Sequence, residues 1–369
     1  MLKRIVIASI LKPVNDTRMY EKIGISLGNT NKYEVNIIGF YTKKYTHVEN
    51  IKFYPIFKFH RLSFRRIFAP FLYFIYLVRI KPALIIITTP ELLPATCCYK
   101  IFFKTKIIYD IQENYKLNIL HNQVYPHAIK FLLAYIVRKT EVMCSSHISL
   151  YFLAEDCYKE ELKFIGDRYK VLKNKYVQPK NIKAPSKLTD KIHLIYTGTI
   201  ARNYGILEAI HLSKELHKYQ ENIFLTIAGF CAEEKLYNEV LSKILGCEFI
   251  EMIGGKKLLP HEEIIRLIKI ADFGLVPYQP DPSIENKIPT KLYEYLANKV
   301  PVILQNHKTW VSFCAPYGGF LAIDYKVFDI RAVLDFCRSK FPVNDAIPYD
   351  LLWISEEKKL LPLIDSLLA

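Results

Sequence analysis

The side chains whose types and spacing best suit ligand binding are Lys291 and Glu294, which lie within residues 277–303. This stretch reads as a strand end, a polar loop, a short helix and a second apolar strand. Thr290 fits the N-cap of the helix, and Asn298 fits the left-handed residue that ends it. The pattern therefore predicts a helix of about two turns that carries both charged side chains.

The start of such a helix suits a diphosphate, because unpaired backbone N–H groups and the positive end of the helix dipole point outward there. Lys291 adds a full charge in the first turn. Glu294 follows three residues later on the same side, where its carboxylate can accept hydrogen bonds from the two hydroxyls of a ribose. The alternative is a solvated i,i+3 ion pair worth about 0.2–0.5 kcal/mol.

The elements that must position these residues alternate along the chain, since short apolar runs are separated by longer helical patterns. Such alternation predicts parallel sheets with helices on both faces, arranged as two doubly wound units with a boundary near residue 178. Ligands of such sheets bind beyond the carboxyl ends of the strands. The predicted strands are 4–10, 33–39, 83–88, 106–110 and one beginning near residue 170, followed by 193–197, 224–228, 248–253, 273–276 and 300–304.

The segment SIENKIPTKLYEYLANKVPVI, residues 283–303, resembles the donor-site segment of the group 1 glycosyltransferases, a GT-B family with many bacterial polysaccharide enzymes. The family signature is Glu-x7-Glu, followed by a small-residue turn and a Pro-Val strand. The resemblance implies that Glu294 is the second glutamate, which holds the donor ribose. Asn286 stands at the first glutamate, which contacts the donor sugar in the family. The resemblance also makes Ser283, Lys291 and Leu292 donor-site residues.

A second similarity is GTIARNYGILEAI, residues 198–210, which resembles the family's turn and helix over the donor phosphates. Gly198 and Gly205 match this pattern. Thr199 and Tyr204 stand where the family has an arginine and a lysine, so Arg202 is the cation expected to substitute for them. Alternatively, Arg202 is an exposed helix-start residue without a partner.

Two more glycines, Gly229 and Gly254, end the next two predicted strands. The family uses both of these loops near the nucleotide, and glycine lets a ligand approach the backbone closely. Loop glycines also serve turn geometry alone.

In the first half, the loop of residues 11–18 follows the first strand, and in the family such a loop lies over the cleft. Asp16 and Arg18 are its polar candidates, although Asp16 is equally suited to capping a helix. The family's common Gly-Gly turn is replaced by Pro13-Val14.

Residues 109–114, YDIQEN, resemble the family's Tyr-Asp-x-His-Glu, with Gln112 at the histidine position. A carboxylate at Glu113 can act as a general base or bind acceptor hydroxyls. The alternative is that Asp110 and Glu113 cap the following helix.

Positive charge is concentrated in the first half of the chain. Residues 1–175 hold 28 Lys and Arg against 13 Asp and Glu, whereas residues 176–369 hold 23 of each sign. Between Glu49 and Glu91 there is no acid, and seven cations interleave with ten aromatic residues. Aromatic rings and basic side chains together favour an anionic membrane surface. The residues expected there are Lys58, Arg61, Arg65, Arg66, Phe68 and Phe71.

Two other interpretations of this segment remain. The aromatic rings can belong to the core with the bases solvated, or the segment can track nucleic acid. No nucleic-acid recognition motif supports the second.

Further features restrict the class of protein. The eight cysteines lack a CxxC pair, which predicts reduced thiols in the cytoplasm rather than a zinc site or a disulfide framework. Residues 4–10 read as a buried strand rather than a signal peptide, and no run of 18 apolar residues occurs. We therefore expect a cytoplasmic protein, peripheral on the inner face of the cell membrane.

The resemblance implies a GT-B fold, with an acceptor-binding, membrane-facing domain at 1–178 and a donor domain at 179–345. A helix at 346–369 is expected to return to the first domain, and the two domains are expected to face one another across a cleft. The activity implied is retaining transfer of a sugar from a nucleoside diphosphate sugar to a lipid-linked glycan in cell-surface polysaccharide synthesis. No metal and no cofactor besides this co-substrate is expected, and no nucleic-acid partner. The alternatives are a nucleotide-sugar epimerase of the same fold and an inactive subunit of a polysaccharide-assembly complex.

Overall fold

Two parallel sheets, one in each of two units, form the framework of the protein. The computed structural model describes residues 2–42, 48–59, 63–121, 127–179, 190–339, 341 and 346–369. The first unit comprises residues 1–177 and 353–369, and the second comprises residues 178–352.

The first unit contains a seven-stranded parallel sheet in the order β3-β2-β1-β4-β5-β6-β7. The central strand β4 is Leu-Ile-Ile-Ile and is buried along its whole length, as expected of a parallel strand covered on both faces. The strands are β1 (Lys3–Pro13), β2 (Tyr33–Phe40), β3 (Ile51–Phe57), β4 (Leu84–Ile87), β5 (Lys106–Ile111), β6 (Leu150–Leu153) and β7 (Tyr169–Val171).

Helices cover both faces of this sheet. A π-helical segment (Thr17–Gly24) runs directly into α1 (Ile25–Gly28), and 3-10 turns occur at Phe64–Phe68, Pro90–Leu92, Ser145–His147 and Lys163–Ile165. The remaining helices are α2 (Ala69–Ile80), α3 (Leu93–Phe102), α4 (Tyr115–His121), α5 (His127–Cys144) and α6 (Tyr158–Glu161). Helices α2 and α3 pack on one core, and the π-helical segment packs on the other.

The second unit contains a six-stranded parallel sheet in the order β10-β9-β8-β11-β12-β13. Its strands are β8 (Ile192–Thr199), β9 (Ile223–Phe230), β10 (Ile250–Gly255), β11 (Phe273–Val276), β12 (Val302–Gln305) and β13 (Phe320–Ile323). Its helices are α7 (Ile206–Tyr219), α8 (Glu234–Ile244), α9 (His261–Ile270), α10 (Thr290–Ala297), α11 (Lys308–Cys314) and α12 (Ile330–Arg338), and a 3-10 turn follows at Tyr349–Leu351.

The predicted strands are present, and the predicted pair of doubly wound sheets is confirmed. Three strands were missed. Strands β6 and β13 have only four residues each, and β3 is an edge strand with Pro55 inside it. Because β3 lies within the aromatic segment, part of that segment belongs to the sheet; Phe57, for example, is buried in the core.

The last helix, α13 (Ile354–Leu368), belongs to the first unit, as the resemblance implied. The indole Nε1 of Trp353 donates to Ser26 Oγ at 2.9 Å. The fully buried carboxylate of Glu356 pairs with Lys175 at 2.8 Å and Lys359 at 2.9 Å. Residues of α13, including Leu360, share a core with the π-helical segment and the sheet.

Among the described residues, no helix combines the length and the apolar character needed to cross a bilayer.

Because residues 353–369 pack into the core of the first unit, we expect removal of the Trp353 side chain to destabilise the protein. Trp353→Ala should lower the free energy of unfolding by about 3–5 kcal/mol, because a buried indole and its hydrogen bond are lost. Ile354→Ala, in a side chain that stays 42% exposed, should change it by less than about 1 kcal/mol. Urea denaturation of both variants measures the difference, and equal effects would contradict this account of the contact.

Candidate functional site

Helix α10 begins and ends differently from the prediction. Thr290 is its first helical residue and Pro289 is the N-cap, so no side chain caps the first turn. Asn298 has a φ of −94°, and the left-handed residue is Lys299, with a φ of 60°. The amide of Asn298 instead donates to the carbonyl oxygen of Glu294 at 2.8 Å. The predictions for Thr290 and Asn298 were therefore wrong, although the helix itself is where the pattern placed it.

Lys291 is a buried amine rather than half of a solvated ion pair. Its side chain is 6% exposed, and its Nζ has no hydrogen-bond partner within the described part of the chain. The Nζ lies 4.1 Å from the ring centroid of Tyr196 and 4.9 Å from that of Tyr278. Burial lowers the pKa of Lys291 from its ordinary 10.5 to about 7, and the nearby charge of Glu294 only partly opposes that shift.

Glu294 has a defined partner that sequence reasoning missed. One of its carboxylate oxygens lies 3.0 Å from Nε2 of His261, the first residue of α9, and both side chains are mostly buried. The contact holds the carboxylate in one orientation next to the Lys291 turn. The only sequence signal for His261 is its place at a helix start after the Gly254 loop.

Neighbouring aromatic rings support Tyr278, one of the two tyrosines around Lys291. Tyr204 stacks on Tyr278 with ring centroids 4.6 Å apart and planes 14° apart. Trp310 meets Tyr278 edge-on at 5.6 Å and donates its indole N–H to the carbonyl oxygen of Lys287 at 2.8 Å. Tyr204, which stands where the family has a lysine, thus supports the aromatic ring that covers Lys291.

The turn before α7 requires glycine. Gly205 has a φ of 73°, and a Cβ built on it would lie 1.8 Å from the carbonyl oxygen of Pro277. The turn before α7 and the residue after β11 therefore approach so closely that no side chain fits between them.

Tyr295 fixes α10 against the sheet. Its hydroxyl lies 3.0 Å from Thr197 Oγ1 and accepts the Thr197 backbone N–H at 3.2 Å. Its ring lies directly over Gly274, where a Cβ would come within 2.4 Å of the ring. This contact sets the orientation in which α10 presents Lys291 and Glu294.

Three of the four predicted glycines, Gly198, Gly229 and Gly254, lie in one row across neighbouring strands. Gly198 pairs with Gly229 in the β8–β9 register, and Gly229 pairs with Gly254 in the β9–β10 register. A Cβ on Gly229 would lie 1.8 Å from the Gly198 carbonyl oxygen, and one on Gly254 would lie 2.5 Å from the Gly229 carbonyl oxygen. Close packing of the strand ends is thus sufficient reason for glycine at positions 229 and 254.

Arg202 differs from both interpretations given above. It forms an ion pair with Glu239 of α8 and remains 39% exposed. It is therefore not an unpartnered helix-start residue, and it can contribute to a phosphate site only by leaving Glu239.

The other predicted donor-site residues have different surroundings. Ser283 is buried, and its backbone N–H donates to Asp281 Oδ1 at 2.7 Å. Asn286 is exposed on the loop before α10. Leu292 is fully buried, which leaves its backbone, not its side chain, for any ligand contact.

In the first unit, the side chain of Asp16 caps the π-helical segment by accepting the backbone N–H groups of Arg18 at 3.0 Å and Met19 at 3.1 Å. Arg18 turns inward and forms a buried two-pronged ion pair with Asp110, with contacts of 2.8 and 2.6 Å. The amide of Gln112 donates to the same carboxylate at 3.0 Å. This network joins the π-helical segment to the end of β5.

Glu113 is exposed and accepts a hydrogen bond from the Asn118 amide at 2.6 Å. Helix α4 is capped by Asn114, whose carbonyl oxygen and side chain accept the backbone N–H groups of Asn118 and Leu117. The suggestion that Asp110 or Glu113 caps this helix was therefore wrong.

Most residues predicted for a membrane surface are exposed. Lys58 and Arg65 are exposed, and Phe68 and Phe71 are 71% and 69% exposed. Arg66 forms an ion pair with Glu91 and is half-buried. Arg61 lies outside the described residues.

Comparison with known proteins finds a family match that lies almost entirely within the second unit. Residues 177–335 match the model of the family described as Glycosyl transferases group 1, which confirms the resemblance. No curated protein matches the sequence.

Solved structures match over the whole chain at low identity. Sucrose-phosphate synthase from Thermosynechococcus elongatus is 12% identical, with 99% of each chain covered and a TM-score of 0.69. HepE from Anabaena, in complex with UDP and glucose, is 11% identical, with 99% of this chain and 100% of that chain covered and a TM-score of 0.63. An E. coli structure described as trehalose-6-phosphate bound with UDP-2-fluoro glucose is 13% identical and has a TM-score of 0.57. The match covers 99% of this chain and 96% of that chain. These matches establish the GT-B fold.

The burial of Lys291 predicts an unusual pH dependence of stability. Above a folded-state pKa of about 7 the native amine is neutral, whereas the unfolded chain keeps the proton up to its ordinary 10.5. Stability should therefore rise between pH 7.5 and 9.5, by up to about 1.4 kcal/mol per pH unit.

Lys291→Met should raise the melting temperature at pH 7 and remove this rise, whereas Lys308→Met, at an exposed lysine, should do neither. Thermal unfolding across pH measures both effects. A pH profile unchanged by Lys291→Met would contradict the burial of the amine.

Proposed function

We propose that this group 1 glycosyltransferase moves a sugar from a nucleoside diphosphate sugar to a lipid-linked glycan acceptor in cell-surface polysaccharide synthesis. The observation that carries the proposal is the pair Lys291 and Glu294 on α10: a buried amine without a hydrogen-bond partner, and a carboxylate held by His261. A buried amine without an anion destabilises the protein, so its presence calls for a ligand that supplies one.

In this proposal the donor diphosphate binds at the first turn of α10. Its negative charge would raise the pKa of Lys291, so the amine takes up a proton as the donor binds. The resulting ammonium, in surroundings from which water is excluded, stabilises the charge that develops on the leaving diphosphate. Arg202 remains a second donor-site cation if it exchanges Glu239 for a phosphate oxygen.

Glu294 would accept hydrogen bonds from the ribose hydroxyls. His261 fixes the carboxylate before the donor arrives, which reduces the entropy lost on binding. Gly198, Gly229 and Gly254 would let the nucleotide approach the strand ends closely, a role compatible with their packing.

We propose retention of the anomeric configuration without a protein nucleophile, with the departing phosphate helping the acceptor hydroxyl to lose its proton. The exposed carboxylate of Glu113 is assigned to the acceptor hydroxyls. Asp16 is assigned to positioning of this region, because its carboxylate is used in capping. Asn286 is assigned to the donor sugar, as an amide in place of a glutamate.

The inactive-subunit alternative is motivated by Asn286, Thr199, Tyr204 and Gln112, which replace residues of the family pattern. The buried Lys291 supports binding of an anionic donor, which an active transferase and a donor-binding inactive subunit have in common. Donor binding without turnover would favour the inactive subunit. An epimerase would act on the donor alone, so product analysis without an acceptor separates it from a transferase.

Glu294→Gln should weaken binding of the nucleotide sugar about 10- to 100-fold, because hydrogen bonds to a charged acceptor are each worth about 1.5–3 kcal/mol. The donor is first chosen as the nucleotide sugar, from a panel including UDP-glucose and GDP-mannose, that raises the melting temperature most.

The matched control is Glu263→Gln, at a carboxylate of α9 that pairs with Arg266 near the surface. It should leave affinity unchanged. Titration calorimetry that finds equal affinities for Glu294→Gln and the unmodified protein would remove the donor-site assignment.

The exposed basic and aromatic side chains support a peripheral position on the inner face of the cell membrane. Phe64, Phe68 and Phe71 are all more than two-thirds exposed, and Arg65 lies among them. Aromatic rings partition into the headgroup region, and nearby cations bind anionic lipids.

Replacing Lys58 and Arg65 together with Gln should lower binding to vesicles containing phosphatidylserine about 30-fold, at about 1 kcal/mol per charge. The control replaces two exposed lysines of the second unit, Lys243 and Lys308. Sedimentation with vesicles measures both, and equal losses would indicate only a general effect of net charge.

A further inference from the structure

A groove between α4 and α5 in the first unit has no part in the donor site. Its volume is about 460 Å³, within the range of about 300–1,000 Å³ typical of small-molecule sites. Its walls are mainly apolar, with Leu120 from α4 and Phe131, Tyr135, Val142 and Met143 from α5.

Three cations lie along this groove, and no acid is among the described residues that line it. Lys116 comes from α4, and Arg138 and Lys139 come from α5. Part of the Arg138 charge is used within the protein, since its Nη1 lies 3.3 Å from Glu141. The groove therefore offers a hydrocarbon surface together with two lysines that can bind an anion.

The groove opens onto an exposed apolar face. Of the lining residues, Tyr135 and Met143 are 61% and 70% exposed, and α5 continues this face with Leu132 at 60%. Helix α3 packs against both α2 and α5, and it ends in the exposed pair Ile101 and Phe102.

Acids are nearly absent from this face. Helices α2 and α3 contain none, and the single acid of α5, Glu141, is buried. A surface that combines exposed apolar side chains with unbalanced positive charge complements an anionic lipid layer better than a second copy of this basic chain.

A hydrogen bond connects the groove to the loop assigned to the acceptor. Arg138 Nη2 donates to Asn114 Oδ1 at 2.9 Å, and Asn114 directly follows Glu113. An anion held at the Lys116 end of the groove would therefore lie on the helix that begins at this loop.

We propose that the α4–α5 groove binds the hydrocarbon chain of a single lipid phosphate, with the phosphate held by Lys116 and Lys139. The chain would enter from the exposed face of α5 and pack against the apolar walls. The inference rests on the proposed function, because it specifies how the carrier of a lipid-linked acceptor is bound. The groove would bind one lipid molecule specifically, in addition to the general attraction of the basic and apolar surface to an anionic membrane.

Farnesyl phosphate, used below its micelle-forming concentration with the full-length chain, tests the site. It should bind one molecule per chain, at least tenfold more tightly than either farnesol or inorganic phosphate. Inorganic phosphate binding as tightly as farnesyl phosphate would overturn the proposal, since the groove would then be an anion site without a role for the chain.

A pair of matched variants separates the groove from the surrounding surface. Val142→Asp places a carboxylate in the groove, and Ile101→Asp places one on the same exposed face outside it. Val142→Asp should weaken farnesyl phosphate binding at least tenfold, and Ile101→Asp less than twofold. Equal weakening by both, or by neither, would overturn the groove as a lipid site.

Two further measurements keep the outcomes distinct. Both variants should bind the nucleotide sugar as the unmodified chain does, which also shows that they fold. Loss of farnesyl phosphate binding in Val142→Asp would thus leave nucleotide-sugar binding intact. Glu294→Gln should instead weaken nucleotide-sugar binding and leave farnesyl phosphate binding unchanged. A dimer in sedimentation equilibrium that Val142→Asp dissociates, with farnesyl phosphate binding unchanged, would overturn the proposal in favour of a second copy on this face.

Discussion

The burial of one amine, that of Lys291, is the constraint on which the candidate donor site depends. Removing an ammonium from water costs several kcal/mol unless a charge or hydrogen-bond partner compensates it. Here the compensation within the protein is weak: two aromatic faces and the field of Glu294. The surrounding structure holds this arrangement in place. Tyr204 and Trp310 support Tyr278, and Tyr295 fixes the helix against β8. The second unit thus uses part of its packing energy to hold a buried basic group, as the proposed donor site requires.

The first unit differs in that it exposes apolar surface while its buried charged groups are paired inside. The Arg18–Asp110 pair and the buried Glu356 hold polar groups inside, where each is matched by a partner. Meanwhile α5 leaves large apolar side chains such as Leu132 and Met143 exposed. In a monomer surrounded by water alone, such a face would favour aggregation. Its position next to the acid-free helices α2 and α3 is consistent with the membrane role proposed above.

Much of the framework could be predicted from the sequence, because fully buried parallel strands such as β4 and β11 are continuous apolar runs. The helix with Lys291 and Glu294 was predictable from its place between two such runs and from the family's spacing, although the residues chosen as its caps were wrong. The surroundings of Lys291 were not, because Tyr196 lies within β8 and Tyr278 follows β11, and both meet the amine only in the folded sheet. The contact of His261 with Glu294 was not predictable for the same reason, because the two residues lie on different helices. The exposed face of α5 was missed because an apolar stripe in a sequence does not reveal whether another element covers it.

The path of the chain has a consequence for its synthesis. Residues 353–369 complete the hydrophobic core of the first unit, yet the ribosome makes them only after the whole of residues 178–352. At about 5–20 residues per second, the nascent first unit waits on the order of ten to thirty seconds with one face of its sheet incompletely covered. During that interval the uncovered apolar surface of the unit is open to non-native contacts. A circular permutant that places residues 353–369 directly before β1 would shorten the wait and make the unit continuous.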